Sequence, residues 1–326
     1  MRSALFLLVV AGIGLAFRVG TPAEASTSAA ATDTSTAAGP GVTPSYYMAS
    51  ARRDKATRLG CSNRRTSGRM SLFFGAPTSV RGGYGATLWG GADLSTAQIG
   101  ELVKDFVRGY AWCRTSGQQL LIGMGTSNST IDRRNEVWIV GHGKAWGTAV
   151  RDVAGWADRY YPGVAKVYGA WDAEPSWSKP RNAELWMQGY NAVPGRRPMH
   201  DHFSADGCPR DKAVGGPCNN GWSQYHLWRL AWQYDPALPM PQIYATSGVN
   251  ARQWQKIDEY GARVHHDGMV FPGVMSQAAA CRQARGCARV DNTPTQARTL
   301  MLRYLNLHPL TRQARLDTVT DMAWHR

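Results

Sequence analysis

Residues 167–177 read VYGAWDAEPSW, an apolar run that ends in two acids one residue apart and is then stopped by a proline. The run has the length and composition of a buried strand. Side chains alternate along a strand, so Asp172 and Glu174 should point one way while Trp171 and Ala173 point the other. Two carboxyl groups are therefore expected to leave the same end of one core strand.

Apolar runs of strand length alternate with amphipathic helical patterns after residue 70. This alternation predicts the α/β class, with a parallel sheet covered by helices. An open doubly wound sheet is the alternative, but the length of the chain favours a (β/α)8 TIM-like barrel, which typically takes about 250 residues. The pattern leaves open how regular the barrel is. Seven strands are predicted at residues 71–76, 119–124, 166–171, 197–203, 241–245, 269–275 and 317–323, and the eighth at 189–193 or 136–140.

The amino-terminal residues have the features of an export signal. Arg2 precedes an apolar run over residues 4–17, and Ala-Glu-Ala at 23–25 has the form of a cleavage site, so residues 1–25 are predicted to be a signal peptide. Residues 26–46, rich in Ser, Thr and Ala, are predicted to be a flexible linker. Residues 47–326 then form one barrel domain, secreted and either extracellular or associated with the cell wall.

Six cysteines form an even set, which in an exported chain favours disulfides over metal ligation. Six cysteines allow 15 pairings. Short loops favour the disulfides Cys208–Cys218 and Cys281–Cys287. Cys61 and Cys113 then remain to pair with each other. We therefore expect disulfide-bonded loops around the barrel.

The formal net charge is +14. The basic residues are mostly arginine and are scattered along the chain, whereas nucleic-acid binding usually needs a basic patch on one face. Attraction to an acidic surface such as a cell wall is the favoured interpretation, and no nucleic-acid partner is expected.

At the carboxyl end of a barrel strand, Asp172 and Glu174 would face the mouth, where barrel enzymes keep their active sites. Two acids in a poorly solvated pocket cannot both ionise freely, so one should keep its proton at neutral pH. Cleavage of a glycosidic bond needs a proton donor and a second carboxylate that activates water, attacks or stabilises positive charge. Glu174, with the longer side chain, is predicted to be the acid and Asp172 its partner.

Other residues are candidates for binding a substrate. Trp171 and Trp177 flank the acids and offer aromatic faces on which sugar rings pack. Asp201 and Asp206 would join the mouth if their segment ends a strand. The same segment holds His200 and His202, whose spacing allows a metal site with Asp206, but no further ligand is evident. We therefore predict neither metal nor cofactor.

Several segments, in their order along the chain, resemble a group of uncharacterised secreted bacterial proteins with a glycoside-hydrolase-like (β/α) barrel. They are IGMGTSNS (122–129), GHGKAW (141–146), AWDAEPSW (170–177), SADGCP (204–209) and PQIYATSG (241–248). A more distant similarity is to lysozyme-like muramidases, which have a D-x-E at a central strand and an I-Y strand later. The resemblance implies a barrel that hydrolyses carbohydrate and adds Tyr244 to the substrate-binding candidates. Muramidases also have an aspartate near the end of the first strand, and residues 72–75 (LFFG) have none.

The sequence thus favours a secreted glycoside hydrolase that acts on a cell-wall or environmental polysaccharide. The alternative is an inactive barrel that binds wall polysaccharide. Under either function, the expected partner of the protein is a polysaccharide or peptidoglycan. The protein is expected to be a monomer without stable membrane insertion.

Overall fold

The computed structural model describes residues 41–115, 117, 119–234, 237–288 and 290–326. The predicted signal peptide and residues 26–40 of the predicted linker lie outside the described residues. The chain is mixed α/β. Its strands are β1 (Val42–Met48), β2 (Gly68–Phe73), β3 (Ala76–Val80), β4 (Gly83–Thr87), β5 (Asp93–Ser95), β6 (Leu120–Ser127), β7 (Ala165–Asp172), β8 (Met199–Asp201), β9 (Ala237–Pro239), β10 (Gly273–Ser276) and β11 (Thr318–His325).

Eight of these strands form one parallel sheet in the order β10-β11-β1-β2-β6-β7-β8-β9. The two edges of this sheet meet just after β9. There the backbone N–H of Met275 donates to the carbonyl of Pro241, and that of Ile243 donates to the carbonyl of Met275, both at 2.9 Å. The sheet is therefore nearly closed into a barrel, consistent with the predicted TIM-like fold.

Helices connect successive barrel strands, as parallel pairing requires. They are α1 (Arg53–Ser62), α2 (Thr96–Cys113), α3 (Glu136–Tyr160), α4 (Pro180–Asn191), α5 (Gln224–Trp228), α6 (Val249–Val264), α7 (Ala278–Gln283) and α8 (Pro294–Leu305). The start of α2 shows why these helices begin where they do. Ser95 caps it, accepting from the backbone N–H of Gln98, while the Gln98 side chain accepts from the N–H of Ser95.

The prediction of the eighth strand was wrong. Residues 136–140 begin α3, and residues 189–191 end α4. The missing strand is β1, whose first residues had been assigned to the linker. Its sequence, VTPSYYM, lacks the apolar run that marks a core strand, because part of its inward face is polar. The linker prediction for residues 42–46 is corrected accordingly.

Hydroxyl and imidazole groups fill part of the barrel interior, where most barrels place bulky branched residues. The hydroxyls of Ser45 and Thr320 lie 2.6 Å apart, and the backbone N–H of Ser71 donates to Ser45 at 2.8 Å. The hydroxyl of Ser71 also lies 2.9 Å from Nε2 of His202. All four side chains are fully buried, so their mutual hydrogen bonds offset the loss of water.

The three predicted disulfides are confirmed: Cys61–Cys113, Cys208–Cys218 and Cys281–Cys287. The first joins α1 to the end of α2, and the other two close short loops. No described cysteine is free. Such a set of disulfides is typical of extracellular proteins.

Within the described part of the chain, no helix combines the length and the apolar composition needed to cross a membrane.

A close approach of α3 and α4 gives a test of the helical layer. A Cβ added at Gly143 would lie 2.0 Å from the carbonyl oxygen of Trp186, so the two helices would have to separate. We expect Gly143→Ala to lower the free energy of unfolding by about 1–3 kcal/mol, the usual cost of overpacking. Urea denaturation measures this change.

Gly155 provides the matched control on the same helix. It is exposed, and nothing lies within 4 Å of a Cβ added there. Gly155→Ala should raise stability by about 0.5–1 kcal/mol, because alanine is the better helix former. Equal effects of the two substitutions would contradict close packing at Gly143.

Candidate active site

Asp172 is the last residue of β7, and Glu174 follows it at the carboxyl end of the barrel. The backbone around Glu174 is held by a side chain from the neighbouring loop. The fully buried Asn128 accepts from the N–H of Glu174 at 3.0 Å and donates to the carbonyl of Glu174 at 2.9 Å. Its amide also donates to the hydroxyl of Ser178 at 2.7 Å. This amide clamp fixes where the Glu174 side chain begins.

Asp172 is 1% exposed, and its carboxylate accepts a hydrogen bond from one described side chain. The amide of Gln242 donates to Oδ1 of Asp172 at 2.7 Å and to the carbonyl of His202 at 3.0 Å. Burial raises the pKa of Asp172 to about 7, and the hydrogen bond from Gln242 opposes that rise. Asp172 therefore changes charge near neutral pH.

Glu174 is partly exposed, and its environment also favours the protonated form. Burial raises the pKa of Glu174 well above its usual value, the negative charges of Asp172 and Asp206 raise it further, and a hydrogen bond with Gln242 opposes the rise. Asp206 lies in the loop after β8, where its carboxylate accepts from the hydroxyl of Ser176 at 3.1 Å. Two neighbouring acids thus favour the protonated form of Glu174 at the mouth of the barrel.

Two phenols complete this electrostatic cluster. The hydroxyl of Tyr47, at the end of β1, accepts from the amide of Gln277 at 2.7 Å. Burial raises the pKa of both Tyr47 and Tyr244 well above the usual value, and the negative charges of Asp172 and Glu174 add to the shift. Both phenols therefore stay protonated at neutral pH and can donate hydrogen bonds at the mouth.

Aromatic rings extend from Tyr47 towards the outside. The ring centroid of Tyr47 lies 5.1 Å from that of Trp89 and 4.8 Å from that of Trp324, and the two indoles lie 5.9 Å apart. We call these three residues the aromatic cluster. Trp89 comes from the three-stranded antiparallel insertion β3-β4-β5, and Trp324 comes from β11.

Two predicted substrate-binding residues are absent from the mouth, and these predictions are corrected. Trp171 is fully buried and stacks on Trp186 of α4 with centroids 4.5 Å apart. Asp201 pairs with Trp171 in register and is also buried. It lies on the side of Tyr190, whose pKa is raised first by burial and then by the negative charge of Asp201. Both side chains face the helical layer because strand alternation turns them away from the interior. Trp177 is half-buried in the loop after Glu174.

His200 and His202 share the interior face of the barrel, with ring centroids 6.3 Å apart. Burial lowers the pKa of His200 well below its usual value and that of His202 to about 3, so both imidazoles are neutral. Asp206 lies with Glu174 instead of with this pair. No group of three His, Cys, Asp or Glu side chains within the described ranges could hold a metal ion.

Sequence reasoning missed Tyr47, Trp89, Trp324, Asn128 and Gln242. Two of them carried a usable signal: Trp324 directly follows the last predicted strand, and Gln242 lies inside the predicted strand 241–245, two residues before Tyr244. Of the remaining three, Tyr47 directly follows the predicted linker, and Trp89 and Asn128 lie outside the predicted strands.

The pKa of Asp172 predicts how stability depends on pH. The unfolded value is about 3.9. Since burial raises the folded value to about 7, Asp172 keeps a proton in the folded state that it loses in the unfolded state between pH 4 and 7, so its contribution to stability falls as the pH rises through this window. One such group contributes at most about 1.4 kcal/mol per pH unit.

We expect Asp172→Asn to remove this contribution, so that the change in the free energy of unfolding from pH 4 to pH 7 is more positive than in the wild type, in urea denaturation series at pH 4, 5, 6 and 7. Asp152, whose side chain is 60% exposed on α3, provides the control, and Asp152→Asn should leave the pH dependence as it is in the wild type. Parallel curves for wild type and Asp172→Asn would show that Asp172 ionises normally.

A comparison with known protein families found none that matches this chain, and a comparison with curated proteins found no matching relative.

Proposed function

We propose that the protein is a secreted glycoside hydrolase that cleaves a glycosidic bond in a cell-wall or environmental polysaccharide. The observation that carries the proposal is the acid pair at the carboxyl end of β7, where burial raises the pKa of both Asp172 and Glu174. A pair that shares its protons in this way supplies one acid and one carboxylate at the same pH.

Glu174 is the proposed proton donor. It is the more exposed of the two acids, and its raised pKa keeps it protonated at neutral pH. The proton passes from the carboxyl group to the glycosidic oxygen as the bond to the leaving sugar breaks. Water then forms a new bond to the sugar carbon, and the Glu174 carboxylate takes the proton that this water loses.

Asp172 is the proposed partner, acting as a carboxylate on the positive charge that develops at the sugar carbon or on the attacking water. Gln242 holds one of its oxygens at 2.7 Å, which orients the carboxylate and favours its charged form. Tyr47 and Tyr244 are the proposed hydrogen-bond donors to the sugar, because both phenols stay protonated beside the acids.

Export agrees with the three disulfides. The net charge of +14 favours an acidic polymer as the partner.

A second candidate function, polysaccharide binding without cleavage, is favoured by one observation. Neither β1 nor β2 carries a carboxylate, so the mouth lacks the first-strand acid of the muramidases that the sequence resembles. Binding to purified peptidoglycan that weakens in high salt, with no release of reducing ends from any glycan tested, would establish this function in place of hydrolysis.

Replacement of the proposed acid tests the hydrolase directly. We expect Glu174→Gln to lower the release of reducing ends by about 10²–10⁴-fold, because the amide cannot supply the proton. The circular dichroism spectrum should stay that of the folded protein. Glu136→Gln, at a side chain 63% exposed at the start of α3, should retain full activity. An active Glu174→Gln protein would remove Glu174 from the mechanism.

The hydrogen bond from Gln242 predicts a change in the pH profile. Activity needs ionised Asp172 and protonated Glu174, so the profile should be bell-shaped with its acidic limb near pH 7. Because Gln242 lowers the pKa of Asp172, Gln242→Leu should move this limb to higher pH, by about one unit for the loss of a hydrogen bond to a charged group.

The pH dependence of kcat/KM measures this shift. Gln188→Leu, at an exposed position on α4, is the matched control and should keep the wild-type profile. An unshifted acidic limb in a folded Gln242→Leu protein would show that Gln242 does not tune Asp172.

A further inference from the structure

A cleft of about 510 Å³ opens beside Trp89 and Trp324 of the aromatic cluster. Its volume lies within the range of small-molecule sites, about 300–1,000 Å³. The walls come from the end of β1, the start of α1, the turn between β4 and β5, and the end of β11. Its lining consists of Ala49, Ser50, Lys55, Trp89, Gly90, Trp324 and Arg326.

The charges of this cleft have one sign. Lys55 and Arg326 line it, and no lining residue is acidic. Asp54, the acid nearest in sequence, is bound by two other arginines, Arg52 and Arg58, each at 2.8 Å. Lys55 donates to a backbone oxygen of Arg326 at 3.1 Å, and an ammonium group carries three donors in all. An anion entering the cleft would therefore meet two cationic side chains and no acidic one among the lining residues.

The aromatic wall is held rigidly in place. In the turn that carries Trp89, the N–H of Leu88 donates to the carbonyl of Ala92 at 2.8 Å. A Cβ added at Gly90 would lie 2.1 Å from the carbonyl oxygen of Ala49, so the turn rests directly on the chain that follows β1. The indole nitrogen of Trp89 is buried and has no hydrogen-bond partner among the described residues. Both indoles remain partly exposed, which leaves aromatic surface open to a ligand.

Tyr47 connects the cleft to the acids. Its ring packs against Trp89 and Trp324, while its hydroxyl is within the electrostatic influence of Asp172 and Glu174. A polymer lying across Tyr47 would place one sugar at the acids and a nearby sugar in the cleft. Aromatic faces suit the apolar face of a sugar ring, and the cationic side chains suit a carboxylate on it.

We propose that this cleft is a subsite for a carboxylate-bearing sugar of the same polymer. This inference rests on the proposed function, from which the polymer substrate follows. Trp89 and Trp324 pack against the sugar ring, and Lys55 and Arg326 bind its carboxylate. The cleft thereby selects acidic polysaccharides over neutral ones.

The test separates binding from cleavage by using the Glu174→Gln protein throughout. Oligogalacturonate is the acidic probe, and its methyl ester is a neutral probe of nearly the same shape. Isothermal titration calorimetry should show the ester binding about tenfold more weakly, the effect of one lost charge-assisted contact. Equal affinity for the two probes would overturn the proposal.

Charge variants test the residues assigned. In the same background, Lys55→Gln should weaken oligogalacturonate binding by about tenfold and leave the ester unaffected. Lys166→Gln is the matched control, because it removes the same charge from an exposed position at the opposite end of the barrel. Equal binding by the two variants would overturn the role of Lys55.

The packing of the indole rings against the sugar needs a separate measurement. Trp324→Ala should weaken binding of both probes, whereas Trp324→Phe, which keeps a ring, should retain most of it and controls for loss of folding. Inorganic phosphate should compete only at high concentration, since it has no ring to pack. Tight binding of phosphate alone would reduce the cleft to a simple anion site and overturn the sugar subsite.

The two proposals fail in distinguishable ways. If the wild-type protein cleaves no glycan but the probes differ as expected, the hydrolase fails and the cleft stands as a binding site. If the wild-type protein cleaves a glycan but Lys55→Gln binds like Lys166→Gln, only the subsite fails.

Discussion

Burial of two carboxyl groups close together at the end of one barrel strand is the constraint on which the site depends. Two adjacent charges in a poorly solvated position repel each other and lack hydration, so the pair keeps protons at a pH where isolated acids have lost them. The free-energy cost of burying these carboxyl groups is reduced by the hydrogen bond from Gln242, which follows β9. It is also reduced by the hydrogen bonds of Asn128 to the backbone of Glu174. Without such supports, buried polar groups would destabilise the folded state.

The nearly closed sheet makes these supports available. Asn128, the acid pair and Gln242 follow three different strands, and parallel strands bring all their carboxyl ends to one rim. Below that rim, Ser45, Ser71, His202 and Thr320 form a hydrogen-bonded interior. The carbonyl of His202 accepts from the same Gln242 amide that binds Asp172, so the polar interior and the acid pair are joined through one side chain.

Tyr47 has a similar connecting role at the surface. Its hydroxyl belongs to the electrostatic cluster of the acids, and its ring belongs to the aromatic cluster. The antiparallel insertion after β2 delivers Trp89 to this position, and the last strand delivers Trp324. One rim thus combines chemistry suited to proton transfer with a surface suited to sugars, and both depend on a tyrosine from the first strand.

Local spacing in the sequence predicts several features of this protein. Alternation along residues 167–177 placed Asp172 and Glu174 together, strand and helix periodicity indicated the barrel, and short loops with an even cysteine count led to the three disulfides. The first strand was missed, because VTPSYYM contains a proline and buries polar side chains, a composition that local patterns assign to a linker. Trp171 and Asp201 were misplaced because nearness to the acids in sequence was given more weight than strand alternation, which turns both side chains towards the helical layer.

The side chains that hydrogen-bond to the acids and to Tyr47 could be identified only from the folded structure. Gln242 lies 70 residues from Asp172, Asn128 lies 46 from Glu174, and Gln277 lies 230 from Tyr47. No periodic pattern connects residues so far apart, because what brings them together is the closure of the sheet, in which each strand supplies only one or two side chains to the rim. The acids could be found from their own strand, whereas the groups that set their pKa values could be found only once the barrel had closed.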